Sequence, residues 1–474
     1  MKKNSLKEMK KPASKVRSPK ESSSLDQKQS EQLAYGRQLR EIYPRNDHKK
    51  WEGFVNRPDP VQLIQQTNKG RIPELIPLRH GRMVQSPFTF YRAGAYNMAV
   101  DLAKTPNTGV KLQCCGDAHL CNFGAFATPE RKIIFSVNDL DETLPAPWEW
   151  DLKRLSTSFV IACRNNGLSE NAAKETVLEC VRSYRESMAT FSEMTTLAVW
   201  YYRIDADMIL DMITDPSMKK RALNRIEKEN KKRIAEEIFP KLITNQDNNL
   251  FFKDQLPTIF HWEDHKPGEI NSIAKQAFND YKENLPPAYR HLLNKYEFKD
   301  LAIKVVGVGS VGTACWVLLL VAGDKDHLIL QAKEARPSVL EEFAGKSIYP
   351  NHGQRVVNGY QLMQPASDIF LGWTSGKLGR NFYIRQLRDM KINFIVETFR
   401  KAEMLIYAKL CSKALALSHA RCGNPSVLSS YMGKGDIFDR AISAFSIAYA
   451  DQNERDYTLF KNAVKNGKLE AIYE

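Results

Sequence analysis

Asp117 and Asn122 stand in the run Cys115-Gly-Asp-Ala-His-Leu-Cys-Asn-Phe-Gly124, and a second carboxylate group, Asn138-Asp-Leu-Asp-Glu142, follows it closely. In a phosphoryl-transfer loop the spacing Asp-x-x-x-x-Asn lets the aspartate take a hydroxyl proton while the asparagine holds a magnesium ion. That reaction asks a protein for positioning more than for covalent chemistry: the nucleotide is placed, developing charge is neutralised and the acceptor hydroxyl is aimed. Asp117 is thus the candidate base, Asn122 a magnesium ligand through its amide oxygen, and Asp139 the carboxylate that joins magnesium to the phosphates. One Asp and one Asn suffice, because magnesium keeps several waters and phosphate oxygens around it. Asp141 faces the same side as Asp139 if the segment is extended, and is then an auxiliary ligand. As a turn residue beside Glu142 and Thr143 it has no such role.

A second signal lies about 190 residues on. Gly307-Val-Gly-Ser-Val-Gly312 fits Gly-x-Gly-x-x-Gly, a pattern shared by dinucleotide-binding folds and kinases. The sequel separates them: a dinucleotide loop opens a helix, whereas Thr-Ala-Cys-Trp-Val-Leu-Leu-Leu-Val-Ala322 followed by Gly323-Asp324 reads as a strand and a turn. Strand, glycine loop, strand is the kinase way of bringing backbone N–H groups over phosphates, so Gly307, Gly309, Ser310 and Gly312 are candidate nucleotide contacts. That arrangement calls for a lysine on the third strand, and Lys333 ends Leu-Ile-Leu-Gln-Ala-Lys at the right place. Its orienting carboxylate is sought on the helix after Pro337, where Glu341 is the candidate and a solvated helix face the alternative.

The elements that must hold these groups follow from composition and period. The 474 residues have room for two or three domains, and 43% hydrophobic content is ordinary for a chain with a substantial core. Met1 to Gln32 is rich in Lys, Ser and Glu and is expected to be a disordered basic tail. Prolines at 44, 58, 60, 73, 77 and 87 favour short elements up to a helix over 93–104. Strands at 110–114 and 132–137 deliver the two carboxylate loops as a hairpin-like pair, and helix-period segments at 151–165, 170–195, 206–213, 218–237 and 270–283 make a mainly helical block. Runs at 301–306, 314–322, 327–332 and 383–387 form a small antiparallel sheet, and a long helix over 392–420 returns the chain to the helical part. The expected division is a tail (1–32), a large helical lobe with both loops (33–300), a sheet lobe (301–391) and returning helices (392–474).

Other classes find less support. The longest apolar run, Cys315 to Ala322, is far below a membrane span, and the lysines of the N-terminus precede no apolar signal core, so a cytoplasmic location is expected. The eight dispersed cysteines suit that compartment and no structural disulfide is expected. A net charge of +14 suits anionic partners, but no paired zinc-finger spacing and no aromatic ribonucleoprotein signature points to nucleic acid. Cys114, Cys115, His119 and Cys121 crowd together without the Cys-x-x-Cys spacing of a zinc site, and His261-Trp-Glu-Asp-His265 misplaces the glutamate of a zinc-protease helix. His119 reads as a loop-packing residue or a backbone clamp, and Asp151 as a helix cap that braces the first loop. Arg79, Arg82 and Arg92 are solvated, form core-edge ion pairs or are available to an anionic acceptor.

The motifs Gly-Asp-x-His-x-x-Asn-Phe-Gly and Asn-Asp-x-Asp-Glu-Thr resemble those of the uncharacterised bacterial group called domain of unknown function 2252, from about Arg79 to Ala448-Tyr-Ala-Asp-Gln452. The resemblance implies a fold related to protein kinases and aminoglycoside phosphotransferases, with ATP and magnesium carried by Asp117, Asn122, Asp139 and Lys333. The order departs from ordinary kinases, whose glycine loop and lysine precede the catalytic loop. The expected fold is therefore α+β, a kinase-like two-lobe architecture that is circularly permuted, with the break near the helix ending at Gly423. The expected function is phosphoryl transfer from ATP to an unidentified small-molecule hydroxyl. A nucleotide-binding pseudokinase or regulatory module and an adenylyl-transferring enzyme remain as alternatives, and oligomeric state is not legible.

Overall fold

The computed structural model describes residues 24–231, 239–246, 249–262, 272–323, 326–376, 379–387, 391–392 and 394–473. Two nested ladders carry the carboxylate loops. β1 (Lys111–Cys114) pairs antiparallel with β4 (Leu144–Pro147), and inside that pair β2 (Phe123–Ala127) and β3 (Ile133–Val137) form a hairpin. The chain therefore leaves β1 for β2 and β3 for β4 at the same end, with Cys114 opposite Leu144 and Phe123 opposite Val137. Nesting alone puts Asp117 and Asp139 side by side.

A six-stranded antiparallel sheet faces those loops, built from β7 (Ile259–Phe260), β8 (Glu297–Lys304), β9 (Cys315–Ala322), β10 (Asp326–Ala335), β11 (Gly372–Ser375) and β12 (Asn381–Gln386) in the order β11-β12-β10-β9-β8-β7. A small hairpin, β5 (Ile243–Gln246) and β6 (Asn249–Phe252), packs beside it. The unbroken apolar run of β9 has a direct cause, since both of its faces are covered. Leu318 and Leu320 meet Phe278, Tyr281 and Leu293 on one side, and Val317 and Leu319 meet Phe239, Leu242 and Phe252 on the other.

The helical part begins with α1 (Ser24–Ile42), inside the stretch whose composition suggests a tail; residues 1–23 lie outside the described residues. Arg40 bonds the carbonyls of Ser430 and Tyr431, and Ser430 Oγ donates to the Leu33 carbonyl at 2.5 Å, so tertiary contacts hold a helix that local hydrophobicity does not foretell. Short helices α2 (Pro60–Asn68), α3 (Ile76–Met83), α4 (Pro87–Ala93) and α5 (Ala95–Leu102) follow the proline punctuation, and the helix expected over 93–104 is α5, with Gly94 at its start. Next come α6 (Trp148–Asn165) and α7 (Glu170–Glu193), then, after β10 and a short helix at Glu341–Ala344, α8 (His352–Met363). The chain closes with α9 (Lys401–Cys422), α10 (Pro425–Met432) and α11 (Ile437–Lys465). The long helix expected from Ile392 starts only at Lys401, because the Ile392 N–H is engaged by the Ala125 carbonyl at 2.9 Å. The fold is thus mixed α+β, with small sheets and a larger helical part.

Candidate functional site

The first loop is held from below by α6. Asp151, in the first turn of that helix, accepts the backbone N–H groups of Cys115 at 2.5 Å and Gly116 at 2.9 Å, and its Oδ2 lies 3.2 Å from His419 Nε2 on α9. A buried carboxylate saturated in this way fixes the loop backbone. One turn on, Arg154 donates through Nε to Asp117 Oδ1 at 2.6 Å, with its Nη2 also on that oxygen. Its guanidinium lies 4.6 Å from the centroid of the Tyr91 ring. Asn122 Nδ2 donates to the Asp117 carbonyl at 2.9 Å, which leaves the amide oxygen available to a cation. His119 accepts the Cys121 N–H at Nδ1, and burial holds its imidazole down to about 4 against the pull of Asp117, so it is neutral at pH 7. Its ring is buried and also clamps the loop backbone.

The second loop touches the first. Gly116 has φ +80°, and a Cβ there would run into the Glu142 carbonyl; a Cβ at Gly124 would strike the Asn138 side chain. Those two glycines belong to the motif because the loops pack backbone on backbone. Residues 138–143 are a turn, not an extended strand, yet Asp139 and Asp141 still converge. Lys333 Nζ on β10 lies 3.3 Å from Asp139 Oδ2 and 3.1 Å from Asp141 Oδ2. Burial works to raise Asp139, but Lys333 and Arg385 outweigh it and hold this carboxylate below its usual range. Burial and the neighbouring Asp139 charge instead push Asp141 up to about 6. Tyr383 donates its hydroxyl to Asp141, and Arg355 of α8 bonds the carbonyls of Asp141 and Thr143 at 2.8 and 2.5 Å.

The glycine loop joins β8 to β9 as an antiparallel pair, with Gly307 at φ +65° and Gly312 at φ +84°. It is not free. Arg82 donates to the Gly307 carbonyl at 2.7 Å, Arg71 to Val311 at 2.5 Å, and the Ile72 N–H to Gly312 at 2.7 Å. Val308 packs with Met83, Phe90 and Phe460, and Val311 with Leu75 and Leu78. Two cavities flank the loop. One, of about 750 Å³, is lined by Asp117, Asn122, Asp139, Asp141, Gly309 and several arginines; the other, of about 540 Å³, is lined by Lys333, Tyr360, Arg385, Leu387 and Lys391. Their linings share Asp139, Gly307 and Ser310.

Asp117, Asn122, Asp139, Asp141, Gly307, Gly309 and Ser310 therefore border the larger cavity, and Lys333 borders the smaller one and reaches Asp139 and Asp141 where the two adjoin. Gly312 is set at the rear, with the Arg71 side chain against it. Glu341 lines the larger cavity but lies 3.7 Å from His352 and does not pair with Lys333, whose carboxylates are Asp139 and Asp141. Among the described residues the cysteine and histidine set around Cys115 forms no ligand cluster. Cys114 instead approaches Asp151 and His419, where both Asp151 oxygens already accept hydrogen bonds. Glu263 to His265 lie outside the described residues. Sequence reasoning missed Arg154, Arg355 and Tyr383, missed Arg71 and Ile72 as clamps on the loop, and gave Arg82 no part in holding it. Arg154 had a signal, for it stands three positions after Asp151 and hence on the same face of α6.

No curated protein matches the chain, and no solved structure does. A family model matches residues 71–463, from the arginine that grips the glycine loop almost to the end of α11. The chain belongs to the family described as uncharacterized protein conserved in bacteria, DUF2252.

Proposed function

We propose that the protein is an ATP- and magnesium-dependent phosphotransferase of kinase-like two-lobe design, its lobes exchanged in chain order, acting on a small-molecule hydroxyl. The observation that carries this reading is the position of Lys333 Nζ, on the third strand after a strand-flanked glycine loop, 3.3 Å from Asp139 and 3.1 Å from Asp141. An ammonium between two carboxylates marks a place where this fold already stabilises positive charge, and the Asn122 amide oxygen faces the same cleft. The donor set, one or two Asp and one Asn, suits magnesium. A bound magnesium nucleotide would supply the transferable phosphoryl group and neutralise its charge. Asp139 and Asn122 would hold the metal, and Lys333 would exchange a carboxylate partner for phosphate oxygens. Asp117, kept oriented by Arg154, would receive the acceptor's hydroxyl proton as its oxygen bonds to phosphorus and the bond to the departing diphosphate breaks. The exchanged order has local support: α9 ends at Gly423, where a Cβ would lie 2.8 Å from Leu112 of β1. Joining those points would restore the order sheet, helix, catalytic loop.

One departure is definite. The short helix after β10 (Glu341–Ala344) carries Glu341 and Glu342, but Glu341 lies by His352 and Glu342 accepts from Tyr96, so Lys333 pairs with Asp139 and Asp141 and not with the helix glutamate that an ordinary kinase uses. The test is thermal unfolding with millimolar ATP and magnesium. The expected result is a magnesium-dependent rise in Tm that disappears in Asp139→Ala; no rise in the unaltered protein would overturn the reading. ATP labelled at the γ or the α phosphorus then separates phosphoryl from adenylyl transfer.

A further inference from the structure

The smaller cavity carries more positive charge than one phosphate-binding lysine accounts for. Lys333 reaches it from β10, Arg385 from β12, and Lys391 from the segment after β12, fixed by the Ile392 N–H on the Ala125 carbonyl at 2.9 Å. Burial raises the Asp139 carboxyl, but the cations outweigh it, Lys333 most, then Arg385 and last Lys391, so all three converge on one carboxylate. Lys333 is already engaged by Asp139 and Asp141. Arg385 lies 5.8 Å from the Tyr360 ring centroid and 5.9 Å from that of Tyr383, and its Nη1 donates to the Asn138 carbonyl at 3.1 Å and the Tyr360 hydroxyl at 3.0 Å. Those contacts orient the guanidinium and leave its Nε and Nη2 without a hydrogen-bond partner among the described residues. Among the same residues Lys391 forms neither a hydrogen bond nor an ion pair. The acidic groups lining this cavity are Asp139 and Asp368, and Asp368 accepts the N–H groups of Phe370 and Gln386. Arg131 and Lys304, the further cations of the lining, have partners of their own. The larger cavity differs, since carboxylates of both loops and of the segment 334–342 stand against its arginines.

Nε and Nη2 form the side edge of a guanidinium, two parallel donors whose spacing matches two oxygens of one phosphate, and a lysine beside them adds a point charge. A metal ion held by Asp139 would cancel the carboxylate that the three cations share, so the excess of positive charge grows as a metal-bound ligand arrives. The cavities meet at Asp139, Gly307 and Ser310, with Asp117, Asn122 and Gly309 on the larger side and Lys333, Arg385 and Lys391 on the smaller. A phosphate chain that crosses this point has its terminal phosphorus beside Asp117 and Asn122 and its inner phosphates among the cations. We propose that Arg385 and Lys391, with Lys333, bind the inner phosphates of the donor, so that the phosphate chain supplies the larger part of the donor's affinity and a linear triphosphate without a nucleoside is also a ligand. The direction of the chain rests on the phosphotransferase reading; the cation pocket does not.

The test is calorimetric titration of the full chain with sodium tripolyphosphate at fixed free magnesium and fixed ionic strength. Saturable binding is expected, displaced by ATP and weakened about tenfold or more in Arg385→Gln, which removes the paired donors. Arg385→Lys should recover only part of the loss, since the charge returns without the fork. Because Arg385 also braces Asn138 and Tyr360, Lys391→Gln is the second variant, expected to weaken binding about threefold with Tm unchanged. No saturable triphosphate binding by a protein that binds ATP overturns the proposal and leaves the phosphotransferase reading standing. Equal affinity in the unaltered protein and both variants overturns it as well. Triphosphate binding that ATP does not displace also overturns it, since the pocket would then serve a separate anion. Arg385-dependent triphosphate binding by a protein that binds no ATP supports the cation pocket and overturns the nucleotide reading.

Discussion

Asp117 and Asp139 border one cleft but are restrained from opposite halves of the molecule. Asp117 takes its ion pair from Arg154 and its backbone support from Asp151, both on α6 of the same half. Asp139 and Asp141 take theirs from Lys333 and Tyr383, on β10 and β12 of the sheet. Asp117 is thus held by its own half, whereas Asp139 and Asp141 acquire their fields from the sheet. Pre-organisation of the first and dependence of the second are two separate properties.

The contrast breaks most sharply at Asp139. Asp139→Ala should lower turnover on the order of 10⁴-fold and abolish nucleotide binding, because several kcal/mol of charge stabilisation at the metal are lost. Asp117→Asn should cost on the order of 10³-fold in kcat while leaving the nucleotide Kd within about twofold, the mark of a group that acts on the acceptor alone. A shared loss of binding in both variants would show that the two loops are not separable. Asp151→Ala should leave two buried N–H groups and His419 without their acceptor and destabilise the fold by about 3 kcal/mol, read as a lower denaturant midpoint. Its effect on metal affinity should be smaller than its effect on stability.

A pH series sharpens the same comparison with the smallest effect. His119 is held neutral, its pKa lowered to about 4 from 6.5. The unfolded chain therefore binds this proton more tightly, and stability is lost as pH falls below 6.5 until about 4 is reached. His119→Asn keeps an acceptor for the Cys121 N–H and should flatten that part of the stability profile. An unchanged acid slope in this variant would assign the proton uptake elsewhere.

Legibility followed the range of the interaction. The sheet could be read because the apolar runs of β9 and β10 and the Gly323 turn are local, and Lys333 followed from strand spacing once the loop was placed. Asp139 and Asp117 were legible as spacings, and their meeting follows from nested ladders that short strands announce. Arg154 is a harder case: its identity is visible, but its aim depends on where α6 lies under the loop. The partner of Lys333 was sought on the next helix and found 194 and 192 residues earlier in the chain, at Asp139 and Asp141, because the turn at 138–143 brings both carboxylates to β10. Helix α1 was missed for the reason that its stability is lent by α10, nearly the whole chain away.

The clamp on the glycine loop has a consequence for ligand traffic. With Val308 and Val311 sunk into two apolar clusters and three backbone carbonyls gripped by residues 71–82, the loop cannot lift as a flap on its own. Admission and release then require the short helices α2 to α4 to travel with the sheet, so the moving unit is a block of secondary structure with its own hydrophobic seams. Motions of that size run in microseconds to milliseconds, which ties ligand exchange at the larger cavity to the helices α2 to α4 that also line it.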